Sequence, residues 1–112
     1  MNPQKNKGDK AEREVAALLS ELTGKTVRRK LGAGRTDDTG DIEGIPNFAI
    51  QVADWKNKYA ACLQKPTEAE DQRINLGVDH AATFVRFRGG RYRVVLTPEQ
   101  FARILFQIAK EA

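Results

Sequence analysis

The sequence predicts one α/β domain: a central mixed β-sheet flanked by helices, in the order α-β-β-β-α-β-β-α. Three observations lead there. Apolar residues recur at spacings of three and four near both ends of the chain, the period of a helix packed along one face. Between them lie short apolar runs bounded by glycine, which mark strands and turns. The chain is 112 residues long, enough for one domain with little room for a second.

Residues 1–8 are polar and basic and read as a frayed tail ahead of a domain spanning 9–112. Asp9 suits a helix N-cap, Glu12 completes a capping box and Gly24 suits the stop, so the first helix is expected over 9–23. Ala11, Val15, Leu18, Leu19 and Leu22 form its apolar stripe. A short strand over 25–31 leads into a loop rich in glycine, threonine and aspartate over 32–40, where backbone can approach a ligand closely. A second strand is expected over 41–44. A third, over 48–55, is largely apolar and therefore central in the sheet.

Pro66 opens the next helix, which Gly77 closes, and the segment 60–65 ahead of it is ambiguous. Residues 80–88 alternate as a strand, and Gly89-Gly90 signals a hairpin into 91–96. Thr97 caps a last helix with Pro98 at its first position and Phe101, Ile104, Leu105 and Ile108 as its apolar stripe.

Nineteen Lys and Arg against fifteen Asp and Glu leave a charge of +4. This mild excess suits a polyanionic partner such as nucleic acid. The single cysteine, Cys62, excludes an intrachain disulfide and a zinc site built on cysteine pairs. The single histidine, His80, removes multi-histidine zinc sites and argues against a Ser-His-Asp triad. The N-terminus lacks the apolar core of a signal peptide, and no stretch approaches the roughly 18 apolar residues needed to cross a bilayer. A cytoplasmic protein without a membrane partner is expected.

The informative constellation is Glu12 on the first helix, Asp41 after the glycine loop, and the strand Ile50-Gln51-Val52-Ala53-Asp54-Trp55-Lys56. Residues i and i+2 of a strand share a face. A carboxylate and a lysine two apart on a central strand, beside an aspartate from its neighbour, bind a divalent cation and activate water next to a phosphate. Such a pocket cuts phosphodiester bonds.

At these residues the chain resembles a family. KGDKAEREVAALL, VRRKLGAG, GDIEGIP and FAIQVADWKN, covering roughly residues 7–58, are similar to the successive blocks of archaeal and phage Holliday-junction resolvases in the PD-(D/E)xK nuclease superfamily. The resemblance implies a restriction-endonuclease-like core and a structure-selective endodeoxyribonuclease of DNA recombination. It further implies a homodimer acting on four-way junctions with Mg²⁺ or Mn²⁺, in the host cytoplasm if phage-encoded. It assigns the metal to Glu12, Asp41 and Gln51, and phosphate contacts to Arg13 and to Arg28 or Arg29, with Lys30 and Arg35 bracketing the same loop.

The third block departs from that pattern. Where the family has E-x-K, this chain has Gln51 and Ala53. Gln51 offers a neutral oxygen and Ala53 offers none. Asp54-Trp55-Lys56 spells D-x-K three residues on, and a β-bulge near Ala53 would be needed to turn it to the same face. Other replacements are Glu68, Glu70 or Asp71 from the following helix, with Lys56 or Lys58. Three readings stay open: an enzyme with Asp54 and Lys56 as substitutes, a weakened enzyme, or a DNA-binding module that does not cleave. A protein-interaction factor is the rival from another class. Taken singly, Glu12 reads as a capping acid, Asp41 as a turn aspartate, and Trp55 and His80 as structural.

Overall fold

The computed structural model describes residues 3–31 and 37–112, with only the backbone of residues 3–7. Among the described residues there are three helices, α1 (Pro3–Thr23), α2 (Lys58–Leu76) and α3 (Pro98–Glu111). They accompany five strands, β1 (Arg28–Arg29), β2 (Ile42–Glu43), β3 (Phe48–Ala53), β4 (His80–Phe87) and β5 (Arg91–Val95). The predicted element order is present. One mixed sheet runs β1-β2-β3-β4-β5, antiparallel throughout except for the parallel pair β3–β4. Parallel neighbours need a long crossover, and α2 provides it.

Alternation along the strands divides the sheet into two faces. On one, Ile42, Ile50 and Phe84 pack with Val27 against Val15 and Ala16 of α1, with Leu19, Val52 and Tyr92 at the margin. On the other, Ala53 and Val85 meet Ala61 of α2. Small side chains there let α2 lie close to the sheet. No helix of the described residues is long and apolar enough to cross a membrane.

The strands are shorter than expected, β1 holding only 28–29 of 25–31 and β3 ending at 53 rather than 55, and the three helices differ more. α1 begins at Pro3 rather than Asp9, so Asp9 and Glu12 lie inside the helix instead of capping it. Both turn to Arg29, whose Nη2 is 3.0 Å from Asp9 Oδ1 and whose Nε is 3.3 Å from Glu12 Oε1. α2 begins at Lys58, not at Pro66. Asn57 is its N-cap and accepts from the Ala60 N–H at 3.0 Å. Pro66 sits in the helix interior, where a proline costs about 3 kcal/mol against alanine. Pro66 is buried, and its carbonyl accepts from Gln100 Nε2 at 2.9 Å.

The third difference is α3. Its capping box forms as predicted, with Gln100 N donating to Thr97 Oγ1 at 3.1 Å and Thr97 N to Gln100 Oε1 at 2.9 Å. Yet its apolar stripe is not buried, since Phe101, Leu105 and Ile108 are at least half exposed. The helix docks instead through polar groups. Glu70 of α2 accepts from Gln100 Nε2 at 2.9 Å and from Arg103 Nη1 and Nη2 at 3.0 and 2.7 Å.

Candidate functional site

Asp41 is held where β2 begins by a chain that can reach it only through glycine. Gly40 has φ +99°, and a Cβ there would stand 2.9 Å from the Ile50 carbonyl oxygen. The backbone therefore lies flush against β3, and Asp41 N donates to Ile50 O at 2.8 Å. Asp41 Oδ2 accepts from the Val52 N–H, also at 2.8 Å. The preceding turn is pinned from both sides. Asp38 Oδ1 accepts from Gly40 N at 3.0 Å and Oδ2 from Gln72 Nε2 at 2.8 Å, while Lys30 Nζ donates to Thr39 O at 3.0 Å.

Ile42 faces α1, so its neighbour Asp41 is directed to the α2 side. One step along the antiparallel register from the Ile42–Ile50 pair, Gln51 lies opposite Asp41. Gln51 has the parity of Ala53, which packs on α2, and is only 4% exposed. Its Oε1 has no hydrogen-bond partner among the described residues, nor do Oε1 of Gln72 or Oγ1 of Thr83. Thr83 is the β4 residue in register with Gln51. A dry face would satisfy these atoms or exclude them. This one keeps bare oxygens beside a carboxylate.

Burial pushes the Asp41 carboxyl up to about 6; the Val52 N–H opposes the rise, Glu12 and Asp38 add to it, and Lys65 lowers it. Glu12 adds to the rise of Asp41 through its charge, while its side chain is bonded to Arg29. Glu12 is itself raised by burial, against its bond to Arg29.

The D-x-K triplet does not join them. The β3–β4 ladder is continuous from Phe48 to Ala53, so no bulge turns Asp54 around. Asp54 has the parity of Val52, ion-pairs with Lys58 Nζ at 3.3 Å, and adds to the field on Arg86. Arg86 belongs to the α1 side, where its Nε is 2.8 Å from Glu14 Oε1. Lys56 is exposed at the end of β3. Of the helix carboxylates, Glu70 is taken up by α3, Glu68 pairs with Lys65 Nζ at 3.3 Å, and Asp71 is exposed.

The basic candidates divide likewise. Arg13 and Arg28 are exposed, Arg29 is engaged by Asp9 and Glu12, and Lys30 braces the turn. Arg35 lies outside the described residues. Sequence reasoning missed three side chains, Lys65, Gln72 and Asp38. Lys65 falls in the ambiguous segment ahead of Pro66, and Gln72, although within the expected helix, carries no local signal of its partner Asp38 thirty-four residues away. From Asn57 onward, Ala61, Lys65, Ala69 and Gln72 fall at helical spacing on the sheet-facing side.

The divalent cation implied by the resemblance finds part of a ligand set. An unpartnered buried oxygen beside a carboxylate is donor chemistry that a hard cation accepts, and Asp41 with Gln51 supplies it. Among the described residues, however, no three Asp, Glu, His or Cys side chains form a group able to hold a metal ion. Compared with family models, curated proteins and solved structures, the chain matches none.

Proposed function

We propose that the chain is a structure-selective endodeoxyribonuclease of the Holliday-junction resolvase type, on a restriction-endonuclease-like core, with a weakened metal site. The observation that carries this reading is the placing of Asp41 opposite the unpartnered Gln51 oxygen on one sheet face. The order of one helix, three antiparallel strands, a crossover helix and a parallel strand is compatible with such a core. Asp41, Gln51 and Glu12 would hold Mg²⁺ or Mn²⁺, which when bound polarises a phosphate and acidifies water.

Hydrolysis adds water across one phosphodiester. A new P–O bond forms from water, the ester P–O bond breaks, and a proton ends on the leaving oxygen. Arg13 and Arg28 hold backbone phosphates, which position the nucleic acid without reading its sequence. A four-way junction has two equivalent strands to cut, so a two-fold homodimer fits the substrate.

Purified protein incubated with a four-way junction and Mg²⁺ or Mn²⁺ is expected to nick it, and Asp41→Ala to abolish nicking. Junction left intact in both metals overturns the reading. Gln51 and Ala53 favour a second reading, a junction-binding module without cleavage. It predicts binding that weakens steeply with salt and is unchanged by Asp41→Ala.

A further inference from the structure

We propose that Lys65 of α2 supplies the cation that the strand position of Ala53 cannot, holding a non-bridging oxygen of the scissile phosphate. The assignment rests on the nuclease reading. Three observations support it. First, Lys65 lies four residues after Ala61 and four before Ala69, both fully buried. That spacing puts it on the stripe of α2 that faces the sheet, and its side chain is only 18% exposed.

Second, an open cleft of about 470 Å³ at the C-terminal end of β3 is lined by Lys65 together with Ala53, Asp54, Trp55 and Lys56. Ala53 offers no cation to that space, and Lys65 from the helix lines it. Third, the ammonium is steered: Lys65 Nζ stands 4.8 Å from the centroid of the Trp55 ring and 3.3 Å from Glu68 Oε1. The Trp55 ring holds the ammonium by a cation–π contact, while the exposed Glu68 carboxylate can yield to a phosphate, a better partner for a point charge. The field of Lys65 on Asp41 agrees with a position on the same side of the sheet. Lys56, the lysine nearest in sequence, is exposed at the rim and lacks this support.

The experiment compares wild type, Lys65→Gln, Lys65→Arg and Asp41→Ala on a four-way junction, measuring kcat, KM and metal-free binding across a salt series. Glutamine removes the charge while keeping a polar side chain, and circular dichroism checks that it folds. Lys65→Gln is expected to lower kcat by about 100-fold or more with KM changed only a few-fold. Its slope of log K against log salt should fall by about 0.9, one phosphate contact. Lys65→Arg should keep the wild-type slope and recover part of kcat. If Lys65→Gln nicks at the wild-type rate while Asp41→Ala is inactive, the Lys65 assignment is wrong and the nuclease reading stands. An unchanged salt slope also overturns the assignment. If wild type cuts nothing in either metal, both fall.

Discussion

Glu70 at the seam between α2 and α3 and Asp41 at the entry to β2 are pushed in opposite directions by their surroundings. Burial would raise Glu70, but Arg103, Gln100 and Arg73 together pull it down to about 2. Burial raises Asp41 to about 6, and nearby Glu12 and Asp38 reinforce the rise. Glu70 has as many donors as it can use and joins two helices. Asp41 has one backbone N–H, acidic neighbours and an unpartnered amide oxygen opposite. The first carboxylate contributes to stability, whereas the second costs it, and uncompensated cost is where binding or catalysis is to be sought.

The largest effect on stability is expected at the seam. Glu70→Ala leaves Arg73, Arg103 and Gln100 without their acceptor and should cost about 2–4 kcal/mol. Denaturant unfolding measures the loss, and proteolysis should release α3 first. Because the folded-state value lies below the ordinary glutamate value of 4.5, this contribution is complete above 4.5 and disappears as pH falls through about 2. A variant whose acid unfolding matches wild type would break the comparison on this side.

Asp41 carries the opposite sign. Its folded-state value exceeds the ordinary 3.8, so the folded protein binds the proton more tightly and stability declines as pH rises from 3.8 to about 6. Asp41→Asn keeps an oxygen for the Val52 N–H and removes the charge. It should stabilise the protein at neutral pH by up to about 3 kcal/mol, with the gain vanishing below pH 3.8, while abolishing any nicking. Equal melting temperatures for the two proteins at neutral pH would show that Asp41 is not held at a cost.

The smallest effect sharpens the geometry. Gly40→Ala forces a side chain into the left-handed region and against the Ile50 carbonyl, at about 1–3 kcal/mol. Because that contact sets Asp41 against β3, activity should fall by more than stability alone explains. Loss of stability with full specific activity would free Asp41 from the turn that precedes it.

Much of this was legible because the signals were local. The Thr97-Pro98 cap, the Gly89-Gly90 hairpin and the apolar run from Phe48 each report on neighbouring residues, and each element formed. Boundaries failed where a long-range partner decided them. Asp9 and Glu12 resemble a cap until Arg29, distant in sequence, draws both into ion pairs. Pro66 resembles a helix start until Asn57 supplies an earlier one. The apolar stripe of α3 promised a buried face, yet Glu70 docks the helix by its polar ridge.

By itself the sequence determined the order of elements, the glycine before Asp41 and the parity that puts Gln51 and Ala53 on one face, since backbone geometry and side-chain alternation follow from neighbours alone. Only the tertiary structure decided which cation stands near Asp41. Asp54 and Lys56 are close to Gln51 along the chain but lie past the end of β3, where Asp54 pairs with Lys58 and Lys56 is exposed. Lys65 is distant along the chain but comes within electrostatic reach, because the crossover that makes β3 and β4 parallel lays α2 over them.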